Sequence, residues 1–334
     1  MSRVALVILN YNGSSFLKRF LPILIEHSQE AELIVADNCS SDDSLEVLNS
    51  FPAIRKIILA ENTGYAGGYN ESLKQIDAEY YLLVNSDIEV TAGWIKPLIG
   101  FLDKNEGYAA VQPKILDYHN KEQFEYSGAS GGFIDSLGYP YCRGRIFTHL
   151  EKDTHQYDSI CDVFWATGAC FLIRSSIFHE LGGFDASFFA HMEEVDLFWR
   201  LKSAGYKAAC VPSSYVYHVG GGTLNKSSPR KTYLNFRNNL RLLIKNLPSR
   251  RLVWILPLRI ILDWAAALLF WKKESFAHFK AVFKAHLDAL KYFNRDIKNP
   301  HKSPPTLHNL RSVLLLKEYY INKKKRFNEI NSTK

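Results

Sequence analysis

Tyr80-Tyr81-Leu82-Leu83-Val84-Asn85-Ser86-Asp87 is an unbroken apolar run that ends in a polar triplet. Such a run predicts a strand buried on both faces, with its carboxyl end opening on a loop. The pattern recurs on the amino-terminal side. Val4 to Leu9 precedes Asn10-Tyr11-Asn12-Gly13, Leu33 to Ala36 precedes Asp37, and Lys56 to Leu59 precedes Glu61-Asn62. Helical segments are expected over Ser14–His27, 43–50 and 65–77. Strand and helix alternating at this spacing predict an α/β fold, a mostly parallel sheet with helices on both faces. Ligands of such sheets sit beyond the carboxyl ends of the strands, where this chain collects Asn and Asp.

Downstream the pattern loosens. Residues 113–160 are rich in Gly, Tyr and Ser and predict irregular β structure or a loop over the site. Asp162–Arg174 reads as a strand, Leu181–Asp185 as a turn, Glu193–Ser203 as a helix stopped by Gly205, and Lys207–Val211 as a short strand. After Gly220-Gly221-Gly222 the chain turns helical and basic, which places a boundary near 222 between a first domain, 1–222, and a C-terminal region, 223–334.

With 334 residues, 47% of them apolar, the chain has enough material for one large domain and an appendage, and disorder is excluded. Its net charge of +7 is unevenly distributed: residues 1–225 have 17 Lys and Arg against 28 Asp and Glu, and 226–334 have 24 against 6. The basic part is expected to face something anionic, a lipid surface or a nucleic acid. The five cysteines are odd in number and widely spaced, which predicts reduced thiols of a cytosolic protein. The apolar run at the amino terminus is too short for an export signal and is expected to be the first strand.

Several groups point to chemistry. Asn62-Thr63-Gly64-Tyr65-Ala66-Gly67-Gly68-Tyr69-Asn70 opens a helix with three glycines, so that backbone can approach a phosphate or ribose, or simply form a tight turn. Asn85 and Asp87 put oxygen atoms on a rigid strand end, as a hard cation requires. Glu193 and Glu194 start a helix whose dipole favours their ionised form, and Asp196 and Arg200 are spaced to pair with each other. His218 alone in an apolar stretch reads as a hydrogen-bonded core residue.

In this order, VILNYNG (7–13), VADNCSSDDS (35–44), ENTGYAGGYN (61–70), LLVNSDIEV (82–90), WATGACFLIR (165–174), GGFDASFFAHMEEVDLFWR (182–200) and YHVGGGT (217–223) resemble the inverting family 2 glycosyltransferases of the GT-A fold, in particular their rhamnosyltransferase-like branch. The resemblance runs from residue 3 to about 247. It implies that Asn10, Asn12 and Asp37 hold the nucleobase and ribose of a donor, and that Asn62, Gly64, Gly67 and Asn70 lie along the nucleotide. Asp87 matches the family's metal aspartate, with Asn85 in place of the usual first Asp, and His218 matches the histidine that completes the metal shell. The family's base is an Asp where this chain has Glu194, whose extra methylene moves the carboxylate outward by about 1 to 1.5 Å. Glu193 is the alternative base.

The reaction so implied is transfer of a hexose, rhamnose included, from a UDP- or dTDP-sugar to a glycan or lipid-linked acceptor. It proceeds with inversion and with Mn²⁺ or Mg²⁺ as cofactor, in cell-envelope polysaccharide synthesis. Trp165, Thr167, Gly168 and Ala169 are expected to line the acceptor and sugar cleft, and Arg143 and Arg145 are either solvated charges or reach the diphosphate. Arg237 and Asn238 are expected near the site. Leu252–Trp271 is long enough to span a bilayer. Its internal Arg259–Asp263 pair, Pro257 and basic flanks favour a helix lying in the interface or packed on the domain, and 275–298 is amphipathic and basic. The expected place is therefore peripheral, on an anionic membrane surface at the cytoplasmic face of the inner membrane, with no nucleic-acid partner. Two rival readings are a nucleic-acid-binding protein that uses the basic tail and a sugar-nucleotide nucleotidyltransferase. The second should carry a basic Gly-rich first loop, which Asn10–Gly13 is not.

Overall fold

The structure, a computed structural model, describes residues 2–220, 228–298 and 313–331, so the expected boundary at 222 and residues Gly221, Gly222 and Thr223 lie outside them. Strand β1 (Ser2–Asn10) is an interior strand of a nine-stranded sheet. Ala5 and Val7 join Ile34, Tyr69 and Leu83 on one face, while Val4, Leu6 and Ile8 join Leu17, Phe20 and Trp94 on the other. Cover on both faces is what makes the apolar run continuous, and each such aliphatic side chain contributes about 1.5 to 3 kcal/mol by burial.

Helix α1 (Ser14–His27) leads to β2 (Glu32–Asp37), α2 (Ser44–Asn49) to β3 (Arg55–Ile58), and α3 (Gly64–Leu73) to β4 (Ala78–Asn85). These four strands are parallel in the order β3-β2-β1-β4. The chain winds one way from β1 to β3 and then returns to the other side of β1, which opens a crevice at the carboxyl ends of β1 and β4. Register sets Asn10 beside Asp37, and Leu9 beside Asn85.

Next come β5 (Ile88–Val90), α4 (Ile95–Lys104) and β6 (Tyr108–Asp117), then a separate four-stranded antiparallel sheet of β7 (Gly132–Ile134), β8 (Pro140–Cys142), β9 (Arg145–Ile146) and β10 (His149–Leu150). The single strand expected over 162–174 is two: β11 (Cys161–Val163) at the sheet edge and β12 (Cys170–Arg174) between β4 and β6. Residues 164–169 cross from one to the other, held at Gly132 by backbone bonds from Phe164 and Trp165. After α5 (Ser175–Glu180) and α6 (Glu193–Ser203), the short strand expected at 207–211 proves to be β13 (Lys207–His218), 12 residues long. Its pairing with β6 breaks between Cys210 and Tyr215, around Pro212, and resumes to His218.

The basic region is helical: α7 (Pro229–Asn246), α8 (Ser249–Lys273), α9 (Phe276–Lys291) and α10 (Phe293–Asp296). It docks through buried ion pairs with the acidic part. Lys245 lies 2.9 Å from Asp185 and 2.8 Å from Asp196, which also pairs with Arg200 at 2.9 Å as its spacing predicted. Arg295, half-exposed, also reaches Asp185 at 2.9 Å, and within the basic region Arg241 meets Asp296 at 2.9 Å. A few of the basic residues therefore answer acidic groups of the first domain. Beyond 312 the chain returns, and α11 (Phe327–Asn331) sets the Phe327 ring against Phe133, Tyr141 and Tyr157.

Candidate active site

The carboxyl ends of β1 and β2 meet in one polar knot. Asn10 is fully buried, and its Nδ2 donates to Asp37 Oδ1 at 3.0 Å and to Ser40 Oγ at 3.3 Å. Ser40 N closes back on Asp37 Oδ2 at 2.9 Å, and Asn12 accepts from Ser41 N at 2.8 Å. Asn10 Oδ1 is left without a partner. Beside this knot, Asn38 bonds Asn62 Oδ1 at 3.1 Å and Gly64 O at 3.0 Å, which ties the start of α3 to the end of β2. Asn38 and Ser40 were not singled out in the sequence, because between recognisable motifs an Asn or a Ser reads as an ordinary loop residue.

The glycines of α3 serve close approach of protein to protein. A Cβ on Gly64, which has φ +75°, would lie 2.4 Å from Phe189 O, and one on Gly68 would lie 2.8 Å from the Leu9 side chain. Asn70 spends both amide atoms on the Phe184 backbone, at 2.8 and 3.0 Å. These contacts hold the loop 184–192 over α3.

Asp87, two residues past β4, meets the end of β13. His218 Nε2 lies 3.1 Å from Asp87 Oδ1, and Gly220 N donates to Asp87 Oδ2 at 3.2 Å. The other ring nitrogen, Nδ1, stands 3.2 Å from Glu125 Oε1, an ion pair rather than an aligned hydrogen bond. All three side chains are buried. Burial works against charge on His218, yet Asp87 and Glu125 raise its pKa to about 10. Burial likewise pushes Asp87 up, but the neighbouring imidazolium and its hydrogen bonds hold it below the ordinary range. Among the described residues no three His, Cys, Asp or Glu side chains converge to hold an ion by themselves. Asp87, just past β4, and His218, at the end of β13, do converge, with Glu125 behind the ring to orient it, so the pair fits a cation that displaces the imidazolium proton and takes its other ligands from a diphosphate. Glu125 lies in the unpatterned 113–160 stretch and gave no signal in the sequence.

Glu193 and Glu194 open α6 under the opposite electrostatics. Each has an unpartnered Oε2, and burial raises both carboxyls, Glu194 to about 7. Glu193 is pushed well up by burial and then by the charge of Glu194. The expected ionising effect of the helix dipole is thus outweighed by loss of solvent. Tyr65, whose own pKa is raised first by burial and then by Tyr69 and both glutamates, reaches across to donate to Gly168 O at 2.6 Å. This joins Gly168 to the carboxylate pair.

The loop before α6 is strained. Phe189, His191 and Met192 take φ of 68°, 69° and 72°, unusual for residues with side chains. Helix α7 holds it there. Asn238 Nδ2 donates to the carbonyls of Phe188, Ala190 and His191 at 3.0, 2.9 and 2.7 Å, and Arg237 donates to Phe188 O at 2.8 Å.

Three expectations change. Trp165 is no platform for a sugar: it is buried, its Nε1 donates to Phe133 O at 3.0 Å, and a Cβ on Gly132 would lie 2.1 Å from its ring. Thr167 and Ala169 are also buried, joined by an Ala169 N to Thr167 Oγ1 bond of 3.2 Å, and Ala169 O accepts from Asn85 N at 2.9 Å, which leaves Gly168 as the part-exposed member of that set. Arg143 and Arg145 are neither solvated nor free, since Arg143 bonds Ser130, Tyr157 and Ser159, and Arg145 bonds Phe147 O and covers the Tyr126 ring.

Residues 5–182 match the family described as Glycosyl transferase family 2. The chain is 29% identical over 230 residues to the N-acetylglucosaminyl-diphospho-decaprenol L-rhamnosyltransferase of Mycobacterium tuberculosis, which covers 64% of this chain and 74% of that protein. It is 24% identical over 221 residues to rhamnosyltransferase WbbL of Escherichia coli K12, over 64% of this chain and 83% of that one. Of solved structures, GalNAc-T7 with UDP, GalNAc and Mn²⁺ superposes with a TM-score of 0.59 at 16% identity, over 89% of this chain and 56% of that one. Residues 1–349 of Staphylococcus aureus TarS superpose at 0.54 and 15%, over 96% and 92%. These two likenesses speak to the fold.

Proposed function

The chain belongs to glycosyl transferase family 2, and on that premise we propose that it moves a hexose, rhamnose in the first instance, from a UDP- or dTDP-sugar to a hydroxyl of a lipid-linked glycan, inverting the anomeric centre. The observation that supports this most is the contrast between Asp87, held ionised just past β4, and the Glu194 carboxyl at the start of α6, raised to about 7. Two carboxylates driven apart in this way divide the roles of ion holder and proton acceptor.

Glu194 takes the proton of the acceptor hydroxyl, and the oxygen so activated attacks the anomeric carbon as the bond to the diphosphate breaks. Its raised pKa suits a base working near neutrality. Glu193 supports the acceptor side, and Gly168, fixed by Tyr65, leaves room for the sugar. Asn10, Asn12 and Asp37 receive the base and ribose, with the unpartnered Asn10 Oδ1 as an available acceptor. A divalent ion, Mn²⁺ or Mg²⁺, when held by Asp87 and His218, supplies positive charge to the leaving diphosphate.

In this reading residues 1–222 carry the transfer and 223–334 bring it to the cytoplasmic face of the membrane. Helix α8 has 25 residues, and an 18-residue stretch of it has a mean hydropathy of 1.9, enough by length and composition to span a bilayer. One face packs inward, where Arg259 donates to Leu137 O at 2.8 Å, covers the Tyr139 ring at 3.7 Å and lies 3.6 Å from Asp263. The other face leaves Trp254 78% exposed, with Ile261, Leu269 and Trp271 on the same surface as Phe276, Phe283 and Leu287 of α9. An apolar face flanked by Arg250, Arg251, Lys272 and Lys273 suits the surface of an anionic bilayer. The family match favours the transferase reading over the nucleic-acid one, and Arg241, Lys245 and Arg259 of the basic half are paired inside the protein. Thermal shift across UDP- and dTDP-sugars, with and without Mn²⁺, tests the proposal: a donor should raise the Tm more when the ion is present. No stabilisation by any sugar nucleotide would remove it.

A further inference from the structure

A groove of about 540 Å³ lies between α7 and α9, outside the cluster just described. Its floor is apolar, made by Phe189, Leu234 and Ala281, and cations stand around it. Arg230 lies 5.4 Å from the Phe189 ring, and Lys284 lies 5.6 Å from that of Tyr233. Lys280 stands one helical turn before Lys284, and Arg237, bonded to Phe188 O, also lines the groove. Among the described residues none of these four is ion-paired to a carboxylate. The nearby acid, Asp288, is taken by Lys291 at 2.5 Å and by the Tyr233 hydroxyl at 2.8 Å. So much cationic charge beside an apolar floor is matched by an amphiphile with an anionic head.

Two neighbours narrow the identity of that ligand. Phe189, one wall, belongs to the strained loop that runs into Glu193 and Glu194, so the inner end of the groove borders the transfer site. At the other end, Lys280 and Lys284 share one side of α9 with the exposed Phe276, Phe283 and Leu287, the face turned to the membrane in our reading. We infer that the groove between α7 and α9 holds the diphosphate of the lipid-linked acceptor, with the first units of its chain on the apolar floor, and so presents the acceptor sugar to Glu194. This rests on the acceptor being lipid-linked, as proposed above.

The full chain is titrated calorimetrically with geranyl diphosphate, a soluble stand-in for the lipid head, in the presence of saturating UDP and Mn²⁺. Binding is expected alongside UDP. Lys280→Gln/Lys284→Gln should weaken it by about tenfold or more, with UDP affinity and Tm unchanged, since both lysines are exposed and touch neither donor nor base. Lys272→Gln/Lys273→Gln removes the same charge outside the groove; it should weaken binding to phosphatidylglycerol vesicles yet leave geranyl diphosphate binding intact. Several results would overturn the inference: no binding by the unaltered chain, displacement by UDP, equal weakening by the two double variants, or a groove variant that loses only vesicle binding and thereby marks a phospholipid contact. Failure of the unaltered chain to bind UDP at all would instead strike the donor reading, and that measurement does not involve the groove.

Discussion

Two acidic clusters, one just past β4 and one at the start of α6, are treated in opposite ways by their surroundings. Asp87 has an imidazolium and a backbone N–H for partners and stays ionised. Glu193 and Glu194 have each other and an unpartnered oxygen apiece, and burial outweighs the backbone N–H groups that favour their ionised form. Residue type alone does not separate the clusters, since both consist of carboxylates at the end of a strand or the start of a helix. The partner decides. A carboxylate next to a fixed cation holds charge, while one beside another carboxylate in a dry pocket is ready to take a proton.

Glu194→Gln should break the contrast most sharply, lowering transfer by about 10² to 10⁴-fold while donor and ion binding, read by calorimetry, stay near those of the unaltered chain. Glu193→Gln should act mainly through acceptor KM. The reverse pattern in steady-state kinetics would make Glu193 the base, and modest effects from both would place it elsewhere.

The same pair sets opposite trends with pH. Turnover depends on the unprotonated carboxylate, so each pH unit below about 7 should lower it roughly tenfold, and Glu194→Gln should lose this limb. Stability moves the other way. A carboxyl whose folded pKa lies near 7 and whose unfolded value is 4.5 binds more protons when folded, so its contribution is present in full below 4.5 and is lost as pH rises to about 7. The Tm of the unaltered chain relative to Glu194→Gln should therefore fall across that window. A flat difference would mean the group titrates as an ordinary carboxylate.

Glu125→Gln tests the other cluster. It keeps the shape behind His218 and removes the charge, and should weaken Mn²⁺ activation by about 10 to 100-fold without changing donor affinity in the absence of metal. Unchanged Mn²⁺ titration would leave Glu125 a structural group. The smallest effect is expected on the outer surface, where Trp254→Ser with Trp271→Ser should lower affinity for anionic liposomes by about tenfold and leave transfer to a soluble acceptor alone. Unaltered liposome binding would detach α8 from the membrane.

The amino-acid sequence by itself determined the parallel half of the fold, because a strand buried on both faces must be apolar throughout and its polar end must fall at the sheet edge. It also placed Asn10, Asp37, Asp87 and Glu194 at element ends, where the family pattern has its site. Tertiary structure alone decided what those groups are surrounded by. Pro212 reads as the end of a strand, yet β13 resumes after it and brings His218 to Asp87 across 131 residues of chain. Glu125 reaches the same ring from a segment without periodicity, and Trp165, an exposed sugar platform by residue type, is covered by the small sheet. The basic half likewise reads as one surface, but Lys245 and Arg241 turn inward to acids distant in sequence, while Lys280 and Lys284 have no such pair among the described residues. Local pattern follows from propensity and burial, which act between near neighbours. Charge state, exposure and partnership depend on contacts between distant segments, and only the folded chain supplies them.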